Sequence, residues 1–453
     1  PLAKPANAAL PLRISATAGE AGQRTFITLG RLLRAELSRQ GEGEKSLWRA
    51  AVAFSPPAGP LRMPVESGVL LLYGALESLE LEPWLALASA DGTGDGLKLR
   101  TDLRIGTLDA FGKRLGDIQV RVITQPEGWS ANLESSQILG DLNFRLADRG
   151  KLVARLSRFA TPPDTPGTTA ARALDELPAL DLIADSFSLG GKELGSMEIL
   201  AHRQAADWVL ERVAMRNLDS SLVAKGVWRT GAGATTSISV DVEASDVGRM
   251  LERFGHAGLV KGGSAKALAS ATWNGNPTAI DYASLAGRVE VHAADGQFLE
   301  IDPGVGKLLS LMSLQMLPQR ITLDFRDVFS KGFKWERIDA TAQIAGGVLD
   351  TQDLRMRGSA ADVAMKGQAD LARETQDLRV RIRPNLGDSA ATVVGVINPV
   401  AGIVTFLGQR VLKDPLGQIF AYEYGITGTW KDPQVRKIKP PVATEAPAPM
   451  SGN

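Results

Sequence analysis

The stretch "LRTDLRIGTLDAFGKRLGDIQVRV" (99–122) alternates apolar and polar residues on both sides of a Gly112-Lys113 turn. In an extended chain Leu99, Thr101, Leu103 and Ile105 fall on one face, and Arg100, Asp102 and Arg104 on the other. After the turn Ile118, Val120 and Val122 alternate with Gln119 and Arg121. A strand reads this way when one face is buried and the other is wet. The same writing recurs at Ile238–Val240–Val242, Val289–Val291, Ile321–Leu323–Phe325 and Leu378–Val380–Ile382. Charges between the apolar positions argue for antiparallel strands, because parallel strands covered on both faces read as continuous apolar runs. The expected class is mainly β, built on a large one-sided antiparallel sheet.

The pattern repeats. "LRIGTLDAFGKRLGDIQVRV" (103–122) realigns with "LIADSFSLGGKELGSMEILA" (182–201) at a shift of 79, which carries Trp129 onto Trp208. A third copy follows at a shift of 141, placing Gly191 on Gly332 and Met215-Arg216 on Met356-Arg357. Gly112, Gly191 and Gly332 are expected at tight turns, where a positive φ costs glycine least. A short helix is expected before each copy, at 82–88, 168–177 and 302–317. A further helix over 245–255 puts Val247, Met250, Leu251 and Phe254 on one face. The organisation read from these signals is an N-terminal β segment over 1–95, then repeats over 96–166 and 167–244. A helix/strand segment with the third repeat follows over 245–388, then an apolar cap over 389–416, terminal strands over 417–438 and a Pro/Ala-rich disordered tail over 439–453. The chain opens without a leader or anchor, which reads as a truncation of a longer protein.

One run contains no charge at all: "AATVVGVINPVAGIVTFLG" (390–408). Its length approaches that of a membrane span, but Asn398-Pro399 at its centre breaks a helix. The expected form is a broken-helix cap able to touch a membrane through Val393, Val394, Ile397, Pro399, Ile403, Val404, Phe406 and Leu407.

Chemistry is sparse. Lys+Arg and Asp+Glu both number 51, so no net charge draws the chain to nucleic acid, and aromatics at 6% offer few stacking platforms. The absence of cysteine removes thiolate chemistry and Cys-ligated metals. His202, His256 and His292 have no metal-binding spacing. "DPGVGKLLS" (302–310) has Leu308 where a phosphate loop needs Ser or Thr. No catalytic residue, metal or cofactor is expected. The amount of apolar face is the informative feature: the sheet either folds on itself as a packed core or opens as a trough that holds lipid chains.

The 99–122 stretch with Trp129, and "ITGTWKDPQVRKI" (426–438) after "LGQRVLKDPL" (407–416), resemble the C-terminal part of the YhdP proteins, which belong to the AsmA-like group of the Gram-negative envelope. "LAGRVEVHAADGQFLEIDPGVGKLLSLMSLQ" (285–315) is similar to the AsmA-like signature. The resemblance implies an elongated, curved β-groove of stacked repeats, non-enzymatic, in the periplasm. It implies an N-terminal inner-membrane anchor absent from this sequence, an outer membrane met at the C-terminal end, and phospholipid as cargo. The groove-lining candidates are then Leu103, Ile105, Ile118, Val120, Val122, Leu182, Phe187, Met197, Ile199, Ile238, Val240, Val289, Val291, Ile321, Leu323, Phe325, Ile344 and Val380. The alternative is an envelope scaffold or assembly factor for outer-membrane proteins, with a closed and fully packed β core.

Overall fold

The computed structural model describes residues 9–19, 22–41, 46–56, 58–81, 98–110, 113–146, 150–161, 178–277, 279–299, 332–385 and 422–438. The fold is mainly β, a long and largely antiparallel sheet of 23 strands, and the chain divides into two compact units. The first comprises Pro1–Leu218 with Lys225–Thr230, the second Asp219–Ala224 with Gly231–Asn453. The expected helices at 82–88, 168–177 and 302–317, and the cap over 389–416, lie outside the described residues, as does Gly112.

The first unit runs through β1 (Leu12–Gly19), β2 (Gly22–Leu29), β3 (Leu33–Gln40), β4 (Leu47–Phe54), β5 (Val69–Glu80), β6 (Lys98–Ala110) and β7 (Lys113–Gln125). It continues with β8 (Gly128–Glu134), β9 (Ile138–Arg145), β10 (Lys151–Thr161), β11 (Ala179–Leu189), β12 (Lys192–Gln204) and β13 (Asp207–Arg216). β14 (Ser220–Arg229) is divided between the units. Each strand from β1 to β13 pairs with its neighbours in sequence.

Three pairings depart from the antiparallel expectation: β4–β5, β5–β6 and β10–β11 are parallel. Parallel neighbours need a crossover of a dozen or more residues, and the chain has one at each place, over 55–68, 81–97 and 162–178. β5 (VLLLYGALESLE) is flanked by parallel neighbours on both sides and is the strand whose sequence is closest to a continuous apolar run. Its outward residues Val69 and Leu71 are buried together with Ala51 and Ala53 of β4. The 55–68 connection reaches over this patch: Pro64 is buried, and Arg62 donates its backbone N–H to the Tyr73 hydroxyl at 2.8 Å.

The second unit contains β15 (Thr235–Ala244), α1 (Val247–Arg253), β16 (Val260–Asn274), β17 (Ala286–Phe298), β18 (Phe333–Ala345) and β19 (Val348–Gly358). It ends with β20 (Ala361–Asp370), β21 (Thr375–Pro384), β22 (Tyr422–Thr429) and β23 (Pro433–Ile438). Every pairing from β15 to β23 is antiparallel.

The helix expected over 245–255 is present as α1. Asp246 caps it by accepting the Arg249 N–H at 3.0 Å. It stops in a glycine motif: Gly255 takes φ +84°, and the Gly255 and His256 N–H groups donate to Glu252 and Leu251 carbonyls. Leu251, Val247 and Met250 face the second unit's core, whereas Phe254, at the cap and past the last helical turn, is 40% exposed. Asp219 is buried beneath α1 and accepts from Arg253 Nε at 3.0 Å and Nη2 at 2.7 Å; that guanidinium holds its carboxyl below the usual range.

The sequence repeats coincide with strands. A shift of 79 superposes β6, β7 and β8 on β11, β12 and β13, and a shift of 141 superposes β12–β15 on β18–β21. Gly191 and Gly332 both have positive φ, +79° and +81°. A Cβ on Gly332 would lie 2.7 Å from the Phe298 carbonyl oxygen, while Gly191 faces open space.

Candidate functional site

Strand register turns the alternation of single segments into rows that cross the sheet. In the first unit one row passes through all thirteen strands. It begins Leu12–Leu29–Leu33–Phe54–Gly74–Leu103. It continues Val120–Leu133–Gly140–Leu156–Ala184–Met197–Met215. No member is polar. Beside it Leu76, Ile105 and Ile118 make a second row, and Ile118 is wholly buried. Phe54, Leu103, Leu156, Ala184 and Met197 belong to one buried cluster, against which Leu33, Val120, Leu133 and Met215 pack. At the β1 end the row comes out to solvent, where Leu12 and Ile14 are each 61% exposed.

Of the sequence-predicted lining residues, Leu103, Ile105, Ile118, Val120, Leu182, Phe187, Met197 and Ile199 come together on this face and in this cluster. Val122 pairs with Ala131 on the same face and is half-buried. In the second unit Ile238, Val240, Val289, Val291 and Ile344 also share one face, linked through β16. The rows are Ile238–Ala271–Gly287–Ile344, Val240–Ala269–Val289–Ala342 and Val242–Ala267–Val291–Ala340. All five predicted residues are half-buried, and none belongs to the unit's buried cluster. Val380 does, with Leu251, Phe333, Trp335 and Ile426. Ile321, Leu323, Phe325 and the eight cap residues lie outside the described residues.

Sequence reasoning missed the alanines. Every inward position of β16 from Ala265 to Ala271 is alanine, so the middle of the second unit's face carries methyl groups between the valines of β15 and β17. The signal was legible as "AKALASATW" (265–273), but alanine scores weakly as a strand core residue. The rows through β1–β5 were also unassigned, because Phe54 and Leu72 sit in runs that are apolar on both faces.

The opposite face is ionic. Arg104 is bidentate to Asp117 at 3.1 Å, and Arg114 reaches Asp109 at 2.7 Å; each guanidinium lowers its partner's carboxyl pKa. Gln119 donates to Asp102 at 2.7 Å and Arg155 pairs with Asp181 at 2.8 Å. In the second unit His292 lies between two carboxylates, with Nδ1 2.7 Å from Asp339 and Nε2 2.9 Å from Glu290. Asp339, bonded by Arg337 and then by His292, is lowered to about 2, and His292 is raised by Asp339 first and Glu290 second. These pairs are solvent-facing and satisfy both His292 nitrogens, which leaves none to ligate or shuttle a proton. Among the described residues no group of His, Asp and Glu could hold a metal, and no helix is long and apolar enough to cross a membrane.

In the first unit an apolar row through thirteen strands backed by ion pairs, built from repeated strand groups, defines a β-structured protein with an extended apolar surface. The sequence pattern of the YhdP protein family matches residues 1–435, and the chain belongs to that family. It is 24% identical over 468 residues to the protein named intermembrane phospholipid transporter YhdP of Escherichia coli (strain K12), a match covering 97% of this chain and 36% of that relative. The chain therefore spans about a third of the length of the curated relative it matches. No solved structure matches it.

Proposed function

We propose that this chain is a non-enzymatic segment of a phospholipid conduit in the Gram-negative periplasm, carrying acyl chains along its apolar face. The observation that carries the reading is the row from Leu12 to Met215, which crosses thirteen strands without a polar side chain. Transfer of an acyl chain from water to such a surface gains about 0.8 kcal/mol per buried methylene. Movement requires that no polar group interrupt the path, and the members of this row supply none. The alanine strand β16 supports the same reading in the second unit: methyl side chains leave space above the sheet that valine or leucine would fill. The ionic outer face keeps water on the other side.

The naming of the Escherichia coli relative as an intermembrane phospholipid transporter supports phospholipid as the cargo. In this reading the chain is the C-terminal portion of a protein anchored in the inner membrane, and its 389–416 cap meets the outer membrane. The competing reading, a scaffold for outer-membrane protein assembly, requires a closed core with no ligand. Native mass spectrometry and organic extraction of the purified chain separate the two. Stoichiometric phospholipid is the expected result; a lipid-free chain with a fully packed core overturns the conduit.

A further inference from the structure

The apolar face of the second unit carries a few buried polar groups: Thr236 and Thr351 donate to the Gly275 and Thr341 carbonyls, whereas Gln376 is unsatisfied. On β21 the inward residues are Gln376, Leu378, Val380 and Ile382, and the last three lie in the buried cluster. Gln376 is 5% exposed, and neither its amide oxygen nor its amide nitrogen has a hydrogen-bond partner. It is paired with Gly428 on β22, and Trp430 follows two residues later, just past the strand end, where its backbone N–H donates to the Glu374 carbonyl at 2.8 Å. Trp430 is 4% exposed and its indole N–H is likewise unpartnered. Three polar atoms, withdrawn from water near the start of β21 and just past the end of β22, are costly unless something bonds to them.

Their position is not isolated. In the second unit Trp273 lies at the same margin of the sheet, at the end of β16, with its N–H donated to the Asn276 carbonyl. In the first unit Trp129, Trp208 and Trp228 stand along one margin: Trp129 opens β8 and stacks on Phe144, and the other two pack together with Ala201. Trp228 has a buried, unpartnered N–H as well. At the second unit's opposite margin Trp335, whose indole N–H is also buried and unpartnered, lies over Gly263 and Gly296, where any side chain would collide with its ring; no buried glutamine stands beside it. Tryptophan is suited to a boundary at which one end of a ligand is apolar and the other polar.

We propose that Gln376 and Trp430 bind the ester-carbonyl region of an acylglycerol lipid. The lipid then lies with its head at the tryptophan margin and its chains over the aliphatic rows. Ester carbonyls accept from the indole and amide N–H groups, and the head-group ammonium donates to Gln376 Oε1. The inference rests on the conduit reading and adds to it an orientation within the second unit: the Gln376 margin meets the head group.

The test uses the full chain and two photoreactive phosphatidylethanolamine probes, one with its diazirine beside the glycerol and one with it at the acyl terminus. Cross-linked peptides are mapped by mass spectrometry. The glycerol probe is expected to label the Gln376 and Trp430 peptides, and the terminal probe to label the inboard rows around Ile338, Met356 and Val363. Equal or reversed labelling overturns the orientation and leaves the conduit intact. Absence of labelling by both probes, with no lipid on extraction, overturns both. Gln376→Leu is close in volume and removes two of the three polar atoms while leaving the buried Trp430 ring in place. It is expected to reduce glycerol-probe labelling at this place roughly 2- to 10-fold, the loss of one or two net hydrogen bonds, without lowering the melting temperature. Unchanged labelling, or a fall in melting temperature in its place, shows that Gln376 is structural and overturns the proposal.

Discussion

At the scale of the residue, the two faces of the sheet respond to opposite changes. Val120 occupies the middle of the thirteen-strand row, paired with Leu103 on one side and Leu133 on the other. A carboxylate there is unpaired among aliphatics, so Val120→Asp should cut lipid passage at least about tenfold, a barrier of about 1.4 kcal/mol. Photo-cross-linked lipid followed along the folded variant checks this, and normal transit would contradict the conduit. On the ionic face the prediction is a pH dependence. His292 has a raised folded-state pKa, so its stabilisation is complete below its unfolded value near 6.5 and is lost as pH rises through the folded value. Asp339 has a lowered one, about 2, so its contribution is present above about 3.9 and is lost as pH falls towards 2. The pair contributes most between about pH 4 and 6.5, and modestly, since His292 is half exposed. Thermal melts of His292→Ala should lose the part of the stability slope that lies above pH 6.5. An unchanged slope would remove His292 from the account.

At the scale of the element, turns and caps set where strands end. Gly191 and Gly332 occupy equivalent places in two repeats and share a positive φ, yet their surroundings differ. Alanine at Gly191 meets only the backbone penalty, about 1 kcal/mol. Alanine at Gly332 adds a contact 2.7 Å from the Phe298 carbonyl and should cost more. Chemical denaturation of the two variants tests the order; equal losses would mean that the close approach relaxes freely. Asp246→Ala should cost about 1 kcal/mol through the loss of the α1 cap, because Arg249 N–H then has no side-chain acceptor.

At the scale of the whole molecule, parallel junctions mark where the chain leaves the sheet and returns to it. Both β5–β6 and β10–β11 precede the strand groups related by the shift of 79, so the crossover is part of the repeated unit. A repeat that begins with a crossover and continues antiparallel adds strands at one edge without closing the sheet through its own hydrogen bonds. Lipid capacity should then scale with the number of strand groups. Extraction from the full chain and from a variant with 99–177 removed, one repeat in length, should give a lower lipid-to-protein ratio for the shorter protein. An equal ratio would place the lipid at a single local site.

Much of this fold was legible in the residues themselves. Alternation at 99–122 marked β6 and β7 and the face to which Leu103, Ile105, Ile118 and Val120 point, because side-chain direction in a strand has a period of two. The repeat marked equivalent strands, and Asp246 with Gly255 bounded α1, since caps and positive φ are local chemistry. Partnership was not legible. Alternation states that a strand is covered on one side, not which strand lies beside it or in which direction, so the parallel pairings β4–β5, β5–β6 and β10–β11 needed the tertiary structure. The register decided the rest. It joined Ile238, Val289 and Ile344 into a row through alanines that carry little signal of their own. It also set Gln376 opposite Gly428, 52 residues away and two short of Trp430, because proximity across a sheet is fixed by strand pairing and not by spacing along the sequence.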